Sequence, residues 1–361
     1  MKLRMLIPAA LLGASWSYAV AQGPSTSETN RVDTRYSVSV IDDATFYGNL
    51  REPQPTVLNQ VLVEPSFGVH FRQQASFSTS LIGVAGTYSD NYSQLRVKET
   101  YGSVSAGDFD FTAGRKMVRW GTGYAFTAAG VLDPPRNPND PTDRLNLNEG
   151  RDLVKADWVH GAHAITAAWS TAALAPAHSE LRDTTAFRYN VLVHGFDTSL
   201  IAGNDRGGDS FGGVTFTGVL GQAWEVHGEG LWREQAAVLL GAKCTLHSGV
   251  TFLGEFYMPP NIPFYRDTSV SALAGRQHYG FFNVSKSRLR ERPGWKEWDL
   301  SGSLVTNLDD RSLTGVVDVN RWFGNHFSSY VHAEIPHGSK TSDYGAAPYA
   351  AATSIGIRFQ L

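Results

Sequence analysis

A two-residue alternation of apolar and polar side chains recurs along this chain, and beyond its N-terminus no long apolar run appears. Ile355, Ile357, Phe359 and Leu361 alternate with Ser354, Gly356, Arg358 and Gln360. Phe187, Tyr189, Val191 and Val193 oppose Arg188, Asn190 and His194. Trp224, Val226 and Trp232 oppose Glu225, His227, Glu229 and Arg233, and Val331, Ala333 and Ile335 oppose Tyr330, His332 and Glu334. A period of two places each set on its own face of a β-sheet. The chain is therefore read as all-β.

The first residues carry the marks of an export signal. Lys2 and Arg4 precede a short apolar core, Met5 to Ala14, and Ala19-Val20-Ala21 fits the small-x-small cleavage rule. The core is shorter than the roughly twenty residues that span a bilayer. The expected division is residues 1–21 as a cleaved signal peptide and 22–361 as one domain. No Cys follows the signal, so a lipid anchor is not supported.

A soluble sandwich would show the same alternation. Two features favour a transmembrane barrel. Tight connections (Gly161-Ala162, Gly195, His247-Ser248-Gly249, Phe323-Gly324-Asn325) alternate with long ones (119–152, 171–185, 204–210, 259–276, 336–350). The polar faces also carry charges, such as Glu229, Arg233, Lys243 and Glu255, that suit a wet lumen. The expected fold is a single closed antiparallel barrel of about eighteen strands, with about sixteen as the second choice, in the outer membrane of a Gram-negative bacterium. Strand centres fall near residues 37, 70, 82, 99, 113, 156, 167, 190, 200, 215, 228, 241, 254, 280, 302, 316, 331 and 357, at about the spacing of such strands. Val57 to Val63 admits a separate short strand, and 285–296 is long and basic for a periplasmic turn. Phe187, Val191, Trp224, Val226, Leu300, Val331, Ile357 and Phe359 are expected to face lipid. Glu225, His227, Glu229, Arg233, Lys243, Glu255, Asp299, Asp318, His332, Glu334 and Arg358 are expected to face the lumen.

Composition narrows the function classes. A net charge of −3 leaves no basic footprint for nucleic acid. The single cysteine, Cys244, excludes an internal disulfide and any metal-type Cys spacing. Aromatic residues make up 12%, enough to furnish interfacial girdles. The expected partners are outer-membrane lipid and a small-molecule solute. No cofactor or metal is assigned, and an oligomer is left open.

The segment 114–158 breaks the alternation. Pro134, Pro135, Pro138 and Pro141 bar strand pairing. Asn137, Asn139, Asp140 and Asp143 favour turns. Trp120, Tyr124, Phe126, Val131 and Leu132 give it apolar anchors. The expected placement is a loop, 119–152, folded into the barrel mouth as a constriction; the alternative is an external cap. Candidate constriction and selectivity residues are Arg115, Arg119, Trp120, Tyr124, Asp133, Asp140, Arg144, Arg151 and Asp152. Gly114-Arg115-Lys116, followed by Arg119-Trp120-Gly121 and the Pro/Asp-rich loop, resembles outer-membrane channels of the alginate-export and related porin type. That resemblance implies a barrel with inward-folded loops acting as a diffusion channel. Leu361 departs from the aromatic residue that commonly ends such barrels.

The expected function is a passive channel for a small polar or anionic solute rather than an enzyme. The alternatives are a barrel hydrolase and a structural or adhesion barrel. Gly208-Asp209-Ser210-Phe211-Gly212 matches the G-x-S-x-G pattern, but that motif requires a strand turning into a helix. Here another alternating strand, Val214 to Leu220, follows, so a Gly-rich hairpin is the better reading. His227 and His332, beside Glu225, Glu229 and Glu334, are read as wetted lumen residues rather than metal ligands. The Asp/Asn-rich loop lacks an EF-hand pattern.

Overall fold

The computed structural model describes residues 32–51, 55–71, 74–88, 90–171, 183–205, 208–233, 235–259, 278–287 and 297–361. The expected signal peptide, and much of the connections 171–185, 259–276 and 285–296, lie outside the described residues.

Among the described residues, eighteen strands make up the fold. They are β1 (Val32–Gly48), β2 (Val57–Phe71), β3 (Ala75–Tyr88), β4 (Asp90–Ala106), β5 (Phe109–Lys116) and β6 (Arg151–His160). Next come β7 (His163–Thr171), β8 (Thr184–Val193), β9 (Phe196–Asp205), β10 (Ser210–Leu220), β11 (Trp224–Trp232) and β12 (Ala236–Thr245). The last are β13 (Val250–Met258), β14 (Tyr279–Lys286), β15 (Trp298–Asn307), β16 (Leu313–Phe323), β17 (Phe327–His337) and β18 (Ala351–Gln360). Each expected centre falls inside its strand, and Val57 to Val63 opens β2 rather than forming a strand of its own. Every strand pairs antiparallel with its sequence neighbours. β1 pairs with β2 on one side and with β18 on the other, where Ser39 faces Gln360 and Gly48 faces Ala351. The sheet has no free edge along that seam, which is the condition for spanning hydrocarbon with strands.

The two faces separate as a period of two requires. On β11, Trp224 and Trp232 are 52% and 65% exposed, while His227 and Glu229 are buried. Phe187, Val331, Ile357 and Phe359 are likewise exposed. A soluble protein rarely shows so continuous an apolar surface; against acyl chains it costs nothing. Tight turns close one end of the barrel. Gly161 (φ 61°), Gly195 (φ 84°) and Gly324 (φ 77°) adopt the left-handed backbone those turns need. The long connections 117–150 and 338–350 lie at the other end.

One expectation needs correction. The inner face is not the wetted surface expected: His227 and His332 are buried, and part of the wall is apolar. Ala168, Ala186, Ile201, Phe211, Leu231, Leu239, Leu253, Phe281 and Val305 point inward and are buried. They are dry because the loop 117–150 packs on them.

Leu304 and Ser303 sit next to each other midway along β15, the first exposed on the outer face and the second on the inner. Arginine in mid-bilayer on the lipid face costs about 2–4 kcal/mol. Leu304→Arg should therefore cut the yield of folded barrel in vesicles sharply, and Ser303→Arg should not. Heat-modifiable migration on a gel reads the difference. Equal losses would mean the faces are assigned wrongly.

Candidate functional site

Residues 117–150 join β5 to β6 without regular secondary structure. Their order comes from packing. Trp120, Ala125, Phe126, Ala129, Val131 and Leu132 are almost fully buried against the inward apolar residues of β7 to β15. Phe126 stacks on Tyr257 with ring centroids 5.0 Å apart. Further along, Leu145 and Leu147 join a second cluster with Ile41, Leu62, Ile82, Val84 and Tyr330, from β1, β2, β3 and β17. The loop thus packs against two separate stretches of the inner wall.

Three buried carboxylates hold its backbone. Glu229, inward on β11, accepts hydrogen bonds from the backbone N–H groups of Thr122, Gly123 (2.7 Å), Ala128 (2.6 Å) and Ala129 (2.7 Å), and from Thr127 Oγ1 (3.0 Å). Glu255, inward on β13, accepts from the N–H groups of Tyr124, Ala125 (2.9 Å) and Phe126 (3.3 Å), and lies 3.0 Å from His227 Nε2. Asp133, within the loop, accepts from the N–H of Trp120 (2.6 Å) and pairs with Arg136 (3.2 Å). Burial pushes the Asp133 carboxyl above its ordinary pKa, and Arg136 opposes that shift. Hydrogen bonds to an ionised acceptor are roughly twice as strong as neutral ones, and a buried carboxylate needs such donors to persist. The loop's glycines make the approach possible. A Cβ on Gly121 would lie 2.1 Å from Thr127 Oγ1 and 3.0 Å from Glu229 Oε1.

Other contacts extend this anchoring. Tyr124 Oη donates to Glu225 (2.7 Å), and Lys243 donates to Tyr124 Oη (2.7 Å) and Glu225 (3.1 Å). Asn139 donates to Glu334 on β17 (2.9 Å). Arg144 pairs with Asp140 (3.0 Å) and donates to Ser354 on β18 (2.9 Å). Asn146 donates to Glu64 on β2 (2.6 Å). The second long connection is also tied down. Asp343 accepts from Tyr279 Oη and Asn307 Nδ2, both at 2.6 Å, and Tyr349 donates to Glu334.

A cavity of about 990 Å³ lies between these two connections. Of the expected constriction residues, Arg119, Tyr124, Asp133, Asp140 and Arg144 line it, joined by Arg136, Glu334 and Tyr349. Trp120 is buried as a packing anchor. Arg115, Arg151 and Asp152 are not among its lining residues. Arg115 instead grips Asp152 through two hydrogen bonds, at 3.0 and 2.8 Å, across the β5–β6 ladder, and Arg151 is buried in the wall. Among the expected lumen residues, Arg233 pairs with Asp205 and His332 with Asp318. Each carboxylate lining the cavity accepts from at least one loop amide, tyrosine, asparagine or arginine. Arg119 is exposed, and among the described residues no carboxylate pairs with it.

Sequence reasoning placed Glu229 and Glu255 on the inner wall but did not see that they grip the loop. The available signal was a run with glycines at 121, 123 and 130, a backbone open to close approach. It did not mark 338–350 as a second lining segment. Among the described residues, no group of three or more His, Cys, Asp or Glu is arranged to hold a metal ion. Gly208 to Gly212 enters β10 from a turn, with no helix following.

Glu229→Gln keeps the shape but sets an amide NH2 against N–H donors. Leaving buried donors unsatisfied costs about 1–3 kcal/mol each. Amide hydrogen exchange across Thr122–Ala129 should accelerate by at least about tenfold while the strands keep their protection. Unchanged exchange there would show that the carboxylate does not hold the loop.

No protein-family model matches the sequence, and no curated protein matches it. Solved structures do share its fold. Pseudomonas aeruginosa OccK5 (OpdH) superposes with a TM-score of 0.61 at 9% identity, over 91% of this chain and 98% of that one. Pseudomonas aeruginosa OpdQ gives 0.59 at 10% identity, over 91% and 99%. A triple mutant of Rhodopseudomonas blastica porin gives 0.52 at 8% identity, over 91% and 100%. At these identities the likeness is one of fold: this chain is built on the closed antiparallel barrel that these proteins share.

Proposed function

We propose that this protein is a passive channel in the outer membrane of a Gram-negative bacterium, with 117–150 as its constriction and a small polar or anionic solute as its cargo. The observation that carries the reading is a loop fastened to inward residues of β11, β13, β17 and β18, beside a polar cavity. A barrel of about eighteen strands is too wide to be filled by its own side chains. A loop across it narrows the passage and sets which groups a solute meets. The barrel likeness to a bacterial porin supports the same reading.

The anion preference rests on Arg119. A guanidinium stays charged at any working pH and presents a fork of donors that matches a carboxylate. Several acidic residues also line the cavity, but each already accepts at least one internal hydrogen bond. Arg119 is then the group most available to a passing solute.

Planar-bilayer recordings test both parts. Deleting 134–143, which spares the anchors at 120–133, should raise single-channel conductance at least about twofold, because the constriction dominates pore resistance. Arg119→Ala should shift the reversal potential toward cations in a salt gradient. An unchanged conductance after the deletion would make the segment an external cap. An unchanged reversal potential would remove Arg119 from selectivity. A folded barrel that never conducts would favour a structural or adhesion role.

A further inference from the structure

The tight-turn end of the barrel is rich in histidine. His160 closes β6 and His163 opens β7, directly opposite each other across the Gly161–Ala162 turn. Both are exposed. Alternation puts His163 on the face of Ile165 and Trp169, which are 43% and 50% exposed, and puts His160 on the face of Val154, which is 54% exposed. That is the outer surface, just below the apolar band. The imidazoles run nearly parallel to aromatic neighbours, His160 beside Trp158 (centroids 5.8 Å apart, 9°) and His163 beside Tyr189 (5.9 Å, 12°). His160 Nδ1 is 2.9 Å from Asp108, on the β4–β5 turn, and His163 Nδ1 is 2.7 Å from Tyr189 Oη, on β8. Asp108 and Tyr189 are the titratable groups against the pair. Both Nδ1 atoms are engaged, so Nε2 is the nitrogen each exposed ring has left for a ligand. His194, His247 and His326 stand exposed on other turns at the same end.

We propose that His160 and His163 form a membrane-facing site for the phosphodiester headgroup of an anionic phospholipid. The inference rests on the barrel sitting in a bilayer, as proposed above. Interfacial aromatic residues sit at headgroup depth, so the two Nε2 atoms lie where phosphates lie. At His163, where Nδ1 can accept from Tyr189 Oη, the neutral ring carries its proton on Nε2 and can donate it to a phosphate oxygen; at His160 the Asp108 carboxylate only accepts, so Nδ1 holds the proton and Nε2 gains one only in the protonated ring. A protonated imidazole donates from both nitrogens and adds a charge. Asp108 fixes the His160 ring through its Nδ1. The added donor and charge should make the site hold phosphate more tightly at acid than at alkaline pH.

The test uses the full chain folded into vesicles of phosphatidylcholine, alone or with about one-third phosphatidylglycerol, with urea-unfolding midpoints taken at about pH 8 and about pH 5.5. The phosphatidylglycerol vesicles should raise the midpoint relative to phosphatidylcholine, and more so at the lower pH. The expected gain is roughly fivefold in the folding equilibrium per imidazole, the effect of one basic residue at an anionic surface. H160Q/H163Q should abolish the extra gain at low pH. H160K/H163K should restore a lipid preference that no longer depends on pH. A wild-type protein indifferent to phosphatidylglycerol, or a low-pH gain that survives H160Q/H163Q, would overturn the proposal. A chain that inserts into neither bilayer would instead overturn the membrane reading beneath it.

Discussion

Hydrocarbon offers no hydrogen-bond partner, so a strand inside it must be paired on both sides. The seam between β1 and β18 meets that demand here. Asp42 faces Ile357 and Thr45 faces Ser354, and the same strand pairs on its other side with β2. Inside the seam, Thr45 and Ser354 join through their hydroxyls at 2.7 Å, and Asp43 accepts from Tyr330 Oη at 2.7 Å. Once the ring is closed, outward residues can be apolar without penalty, and inward residues are free to serve the lumen.

Closure at this width creates a second problem. The interior is too large for wall side chains to fill, and a long loop without a partner would stay disordered. The chain solves both by making the loop a core for the lumen. Phe126, Val131 and Leu132 bury against inward alanines, leucines and aromatics of the wall. That burial removes water from loop amides, which must then find acceptors. Glu229 and Glu255 supply them, each gathering several N–H groups. Apolar contacts on one side and charge-assisted hydrogen bonds on the other fix the loop more firmly than either would alone.

Much of the fold was legible because period-two patterning is local. Each strand announces itself in about eight to ten residues, and the even count follows from alternating turns and loops. The loop's existence was legible from Pro134, Pro135, Pro138 and Pro141 for the same reason. Its fastenings were not. Glu229 meets Thr122 across 107 positions, and Glu334 meets Asn139 across 195; no spacing rule links residues so far apart. The candidate arginines illustrate the limit. Arg119 and Arg144 reach the cavity, whereas Arg115 is taken up by Asp152, its partner on the adjacent strand. Composition shows that these charges are near one another in sequence, but only the register decides which of them cancel. The inward apolar patches were missed because alternation predicts a face and not what covers it.

The central claim is that 117–150 lies inside the lumen and against its wall. Proximity cross-linking tests it most directly. Asn139 and Glu334 touch at 2.9 Å, so Asn139→Cys with Glu334→Cys, in a Cys244→Ala background, places one thiol on the loop and one on β17. A short bifunctional thiol reagent applied to the folded barrel in vesicles should join them within one chain and lower single-channel conductance noise from the loop. Failure to cross-link, with residue 139 reacting freely with a bulky maleimide from outside, would contradict the account.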